Sequence, residues 1–257
     1  MFEKGENHMS VKNRSSGGQK KKSSRKKGSI ILLAVLLGIV GLGLIFSPSL
    51  EQILIRHRSA VEMTISKDRM KQNKREQVSY DPSTVQSASM MSLVENQLKG
   101  VSLPVIGLVS IPELRLNLPI IKGDGYYTML YGAGTMKENQ TMGEGNYAIA
   151  SHHVSNVLGS DYDGILFSPL QNAQSGQKVY LTDKTKVYVY QVNEITKVLP
   201  NQGNVILDVP GKKMVTLVTC YSDNTYRLIV QGKLIKTLPY DNQTASYFSQ
   251  QLTQYDR

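Results

Sequence analysis

The chain holds one cysteine, Cys220, and it ends a strand-like run, Met214-Val-Thr-Leu-Val-Thr-Cys220. A side chain at a strand end reaches the rim of a sheet, where a substrate can meet it. A single cysteine allows no intrachain disulfide, so Cys220 is a free thiol or half of an intermolecular bridge. The ordinary fate of a free cysteine is to be a small buried filler; a catalytic one needs a histidine elsewhere in the chain. Of the four histidines, His8 lies in a polar tail and His57 just beyond a long apolar run. That leaves His152 and His153, which follow Asn146-Tyr-Ala-Ile-Ala-Ser151, again at the end of a strand-like run. Neighbours on a strand point to opposite faces, so at most one of the pair faces a common site. Two imidazoles are also too few for a zinc centre. Arg227 opens the next strand-like run after a short loop. A cation there can hold a carbonyl oxygen or stabilise a thiolate; the plainer reading is a solvated edge-strand arginine.

These side chains need a β scaffold to bring them together, and from about Val101 the texture supplies one. Short runs rich in Val, Ile, Thr and Tyr alternate with turn residues: Val105–Val109, Leu116–Ile120, Tyr147–Ala150, Val179–Leu181, Lys186–Val192, Met214–Thr219 and Tyr226–Ile235. The alternation in Val187-Tyr-Val-Tyr-Gln-Val192 has the period of a strand. About eight strands with short loops predict an all-β closed barrel or sandwich. Short helices are expected over Tyr126–Tyr131 and Ser168–Asn172, and a terminal one over Thr244–Gln254.

The N-terminal hundred residues read differently. Residues 1–29 are rich in Lys, Ser, Gly and Asn without apolar periodicity, and read as a disordered basic tail. Of the net charge of +10, the first 28 residues carry +7, so the remainder is nearly neutral. A nucleic-acid-binding domain would carry its positive charge on its own surface, so no nucleic-acid partner is expected. Ile30–Phe46 is an uncharged apolar run, about 25 Å long as a helix. A buried core helix would not normally follow six cations in eight residues, Lys20–Lys27. A cleaved signal peptide would have a shorter apolar region and small residues after it. The expectation is therefore a transmembrane signal anchor over 30–48. Its preceding cations would stay cytoplasmic, making a single-pass protein of the cytoplasmic membrane with the C-terminal part extracytoplasmic. Residues 49–100 are polar, with helical stretches expected over Leu50–Gln77 and Thr84–Leu98, broken at Asp81-Pro82. They read as a partly helical stem ahead of a domain at 101–257.

Taken together, these residues resemble the sortases. Thr216-Leu-Val-Thr-Cys220 matches the T-L-x-T-C signature of that family. Arg227 falls where the sortase arginine falls, and Ala150-Ser151-His152 matches the histidine segment, which favours His152 over His153. The similarity runs from about Val101 to Lys236 and includes Gly132–Thr135 and Leu166–Leu170. It implies the eight-stranded sortase-type β-barrel and a cysteine transpeptidase. Such an enzyme cleaves a surface protein's Leu-Pro-x-Thr-Gly (LPxTG) signal between Thr and Gly, and holds the acyl group as a thioester on Cys220. It then passes that group to an amine of a cell-wall precursor of the lipid II type. The implied catalytic set is Cys220, His152 and Arg227. A cysteine of ordinary pKa near 8.5 is mostly thiol at neutral pH, and only its thiolate attacks well. Nearby cations favour the thiolate, His152 handles the leaving and incoming amine protons, and Arg227 donates to the oxyanion. Thr219 is expected to assist beside the nucleophile and to take part in substrate binding. Ala150 and Val218 are expected to line the groove, while Pro200, Val205 and Ile206 match the loop that houses the Leu-Pro part.

Within the family, class A fits best. The Val198–Lys213 connection has no room for the long helix of class B. Asp81-Pro82 is similar to the lid motif of pilus-building enzymes, but Ser83 stands where that motif has an aromatic residue. Glu138, Glu144 and Asp161 are scattered, so no metal and no other cofactor is expected. Two other functions compete. A secreted cysteine peptidase of wall peptides would not depend on an added amine, and a surface binding module would keep Cys220 buried and inert.

Overall fold

A computed structural model describes residues 22–80, 102–153, 165–221 and 225–249. In it eight strands close into a barrel: β1 (Val105–Ile111), β2 (Leu116–Ile121), β3 (Ala133–Thr135), β4 (Asn146–Ala150), β5 (Lys178–Thr182), β6 (Lys186–Val198), β7 (Met214–Cys220) and β8 (Arg227–Pro239). Their order around the barrel is β1-β2-β3-β4-β7-β8-β6-β5, with β5 returning to β1. The expected short helices form at Tyr126–Tyr131 and Ser168–Asn172, the second as a 3₁₀ turn. Near the C-terminus a helix at Asn242–Ala245 runs into a 3₁₀ turn at Ser246–Phe248. Residues 84–98 and the end of the chain lie outside the described residues.

Alternation along the strands creates two separate apolar clusters. Tyr147 and Ile149 of β4, Val215 and Leu217 of β7, and Leu228 and Val230 of β8 fill the barrel interior. Their neighbours Ala150, Val218 and Ile229 point the other way and form a second cluster on the outer face. This is the period of two expected of a pleated strand.

The chain divides into two units, residues 1–46 and 47–257. Helix α1 is assigned to Lys22–Met63, and in the first unit Ile30–Leu33 and Val35–Leu37 are exposed. The transmembrane helix expected over 30–48 is not shown: no helix among the described residues is long and apolar enough to cross a membrane. The uncharged run spans only about 25 Å, against roughly 30 Å of hydrocarbon. Cations and Glu51 lie close on its two sides. The single-pass topology that rested on that span is likewise not shown.

In the second unit, residues 54–80 pack against the barrel instead of standing clear of it. Ile55 and Met70 are buried in the barrel cluster. Helix α2 (Lys67–Asn73) is capped by the Ser66 hydroxyl, which accepts from Arg69 N. Asn73 Nδ2 donates to Val105 O at 2.8 Å and Ser59 Oγ to Tyr131 O at 2.6 Å. Lys74 pairs with Asp183 at 2.9 Å. The strap then crosses Gly123, whose φ of +92° suits glycine and where a Cβ would meet Ser79 O at 3.0 Å.

Candidate active site

Strands β4 and β7 are parallel neighbours, with Ala150 opposite Val218. The ladder continues through Ser151 N, which donates to Val218 O at 3.2 Å. His152 therefore stands level with Cys220, two residues beyond the paired positions. On the other side β8 runs antiparallel to β7, and Cys220 pairs directly with Arg227. Tyr221 N donates to Tyr226 O at 2.9 Å and closes that hairpin. Three adjacent strands thus present His152, Cys220 and Arg227 in a row on the barrel rim, strands lying about 4.8 Å apart.

Cys220 is a free thiol of intermediate exposure. The His152 backbone is held from both sides: its carbonyl accepts from Phe167 N at 3.1 Å, and Ser151 Oγ before it donates to Gly132 O at 2.6 Å. His152 Nε2 is buried and has no hydrogen-bond partner among the described residues. Burial holds the imidazole pKa below its usual 6.5. His153 takes a different environment, with Gln171 Nε2 within 3.3 Å of its ring nitrogens.

The depressed His152 pKa gives a signed expectation. As pH falls below 6.5, the unfolded chain binds a proton at this residue before the folded chain does. Stability therefore drops as pH falls through the window between 6.5 and the lower folded value. His152→Asn is expected to flatten that part of the pH dependence, read from thermal melts at pH 7.5 and 5.5. An identical pH slope in both proteins would refute it.

Below the row of three lies the outer apolar cluster. Ala150, Val218 and Ile229 form its floor, and Met129, Met136, Val198, Val205 and Ile206 pack on it. Of the residues expected to bind substrate, Ala150, Val218, Val205 and Ile206 come together here. Two others do not join them. Thr219 faces inward, fully buried, and its hydroxyl donates to Ser151 O at 2.9 Å, tying β7 to the residue before His152. Pro200 is exposed in the β6–β7 connection. Sequence reasoning missed Ile229, Val198, Met129 and Met136. The signal for Ile229 was available: counting by twos from Arg227 along β8 reaches it directly.

The β6–β7 connection is held over this floor. Asp208 Oδ1 accepts from Asn146 N at 2.8 Å and from Lys137 Nζ at 2.6 Å. The Lys137 ammonium keeps the Asp208 carboxyl below the usual carboxylate range. No group of three or more His, Cys, Asp or Glu able to hold a metal occurs among the described residues. Asp161 lies outside them.

A cysteine, a histidine and an arginine in register on neighbouring strands, next to an apolar cluster, fit acyl transfer. Residues 109–235 match the sortase domain. Sortase A of Streptococcus agalactiae is 50% identical over 210 residues, covering 80% of this chain and 84% of that protein. The chain belongs to the class A sortases. Sortase A of Bacillus anthracis is 35% identical over 208 residues, covering 80% of this chain and 94% of that protein. The solved structure of Listeria monocytogenes sortase A superposes with a TM-score of 0.52 at 33% identity, over 56% of this chain and 97% of that one. The eight-stranded barrel is the sortase fold, and the chain is a sortase transpeptidase.

Proposed function

We propose that the enzyme cleaves a Leu-Pro-x-Thr-Gly signal between Thr and Gly, with Cys220 as nucleophile, His152 as acid–base and Arg227 as oxyanion donor. It then joins the surface protein to an amine of a cell-wall precursor of the lipid II type, working at the cell surface. The observation that carries this reading is the row His152–Cys220–Arg227 on adjacent strands, directly above the cluster of Ala150, Val218 and Ile229.

The chemistry follows from the resting state. With His152 neutral near pH 7, its imidazole takes the thiol proton as Cys220 attacks the Thr carbonyl. Arg227 N–H groups donate to the oxygen that becomes negative. The imidazolium then gives its proton to the glycine nitrogen as the C–N bond breaks, leaving a thioester and a free amine. The incoming amine attacks the thioester, His152 removes its proton, and the Cys220 thiolate leaves and is reprotonated. The apolar floor, about 7 Å along β7 from Cys220, suits the Leu and Pro side chains upstream of the attacked Thr. Residues 1–29 serve as a basic tail, 49–100 as the approach to the domain, and 101–257 carry the catalysis.

The test is a fluorogenic Leu-Pro-x-Thr-Gly peptide with the full chain, with and without triglycine, beside Cys220→Ala. The expected result is cleavage that requires Cys220 and yields mainly amine-capped product. Free acid as the only product whether or not amine is present would favour a hydrolytic peptidase. No cleavage, with Cys220 inert to thiol reagents, would leave a binding module.

A further inference from the structure

The signature residue four before Cys220 has a job that the catalytic reading leaves unassigned. Thr216 is fully buried on β7, on the same face of the strand as Val218 and Cys220. Its hydroxyl donates to Asn146 Oδ1 at 2.6 Å and accepts from Gln231 Nε2 at 3.0 Å. Asn146 Nδ2 donates in turn to Val205 O at 3.0 Å and Leu207 O at 3.1 Å. Gln231 Nε2 also donates to Val205 O, at 3.1 Å. Three strands, β4, β7 and β8, thus each contribute one polar side chain to a closed ring. The ring ends on the carbonyl of Val205, the loop residue that packs on the groove floor.

A ring of this kind has little slack. Thr216 both gives and receives a hydrogen bond, so a methyl in place of its hydroxyl leaves an amide acceptor and an amide donor without their partner. Buried polar groups do not tolerate this. The 3₁₀ turn Gly203–Ile206 has no side-chain cap of its own, so its position over the sheet depends on bonds from below.

We propose that Asn146, Thr216 and Gln231 form a positioning hub that sets the height and register of Val205 and Ile206 over the groove, and thereby determines selectivity for the large apolar residue that opens the sorting signal. The hub acts through the loop and touches neither the thiol nor the scissile bond. It rests on the reading of the apolar cluster as the Leu-Pro site. Breaking the ring lets the loop drift, the Leu pocket loosens, and binding suffers more than the chemical step.

The experiment compares the full chain with Thr216→Val, Gln231→Met and Thr216→Ser. Each is assayed on the Leu-Pro-x-Thr-Gly peptide and on the same peptide with Ala in place of Leu. The alkylation rate of Cys220 by iodoacetamide serves as a control for the rim. Thr216→Val and Gln231→Met are expected to raise KM about 10-fold, because binding must then re-order a loop that the ring no longer holds, with kcat and alkylation little changed. They also narrow the Leu-over-Ala preference by a similar factor. Thr216→Ser, which keeps the hydroxyl, recovers most of the loss. An unchanged KM and Leu-over-Ala ratio in both variants would overturn the proposal. So would a fall in kcat accompanied by slower alkylation, which marks a general loss of structure. Gln231→Met, at a half-buried position, keeps the test open if Thr216→Val does not fold. Failure of the wild-type chain to cleave either peptide would instead strike the functional reading beneath it.

Discussion

Arg227→Lys is expected to lower kcat/KM for the sorting-signal peptide by about 10²-fold or more, although it keeps the positive charge. The register pairs Arg227 directly with Cys220 across β7–β8, so the two side chains leave the sheet on the same face. A planar fork of N–H groups can meet the substrate oxygen and hold it in one orientation as charge develops there. An ammonium on a flexible stem offers a point charge without that geometry. The loss belongs mainly to kcat, because charge on the oxygen exists only once attack begins. Steady-state kinetics on both proteins, with Cys220 alkylation as a check on the thiol, measures it. A change below about 3-fold would remove Arg227 from the oxyanion role. A large loss matched by equally slowed alkylation would assign it to thiolate stabilisation instead.

How much of this was legible depends on how local each signal is. The strands announced themselves wherever β-branched and aromatic residues alternated over five or more positions, as in Val187–Val192. β3 gave no such signal: Ala133-Gly-Thr135 is three residues without bulk, and it is a strand only because β2 and β4 stand on either side to pair with it. The residues proposed as catalytic stood out as candidates because each sits at or just beyond a strand terminus, where residue type and turn chemistry mark the position. The inward turn of Thr219 was readable too, by parity from Cys220, but its hydrogen bond to Ser151 O needed the β4–β7 pairing, a contact between residues 68 positions apart. The same holds for Asn146, Thr216 and Gln231: each is an ordinary polar residue in a strand until three non-consecutive strands are laid side by side. The packing of residues 54–80 was hidden for a different reason. Their polar composition pointed to solvent, yet a few buried side chains suffice to dock a helix: Ile55 and Ser59 from α1 and Met70 from α2.

That docking makes the strap part of the folded domain, and removing residues 1–100 is expected to lower the melting temperature on the order of 10 °C. Burial of Ile55 and Met70 contributes about 1.5–3 kcal/mol each, an upper estimate because the unfolded chain is already partly collapsed. The bonds from Asn73 to Val105 O and from Ser59 to Tyr131 O add about 1 kcal/mol each. Against a typical total of roughly 5–15 kcal/mol this is a large share, and each kcal/mol moves the midpoint of a domain this size by about 2–4 °C. The effect should reach the active site as well. Ser59 holds the end of the helix Tyr126–Tyr131, and the carbonyls of Met129 and of Gly132, the next residue after that helix, accept from the Ser151 hydroxyl just before His152. The full chain, residues 47–257 and residues 101–257 should therefore be melted and assayed together. Residues 47–257 are expected to match the full chain in both respects, since they keep the whole of the second unit. Residues 101–257 are expected to melt earlier and to lose activity in part even at temperatures where they remain folded. Ile55→Ala combined with Met70→Ala in the full chain should reproduce most of the shift, because the apolar contacts dominate the sum. A 101–257 fragment that melts within about 2 °C of the full chain would return the strap to the status of a tether lying on the surface.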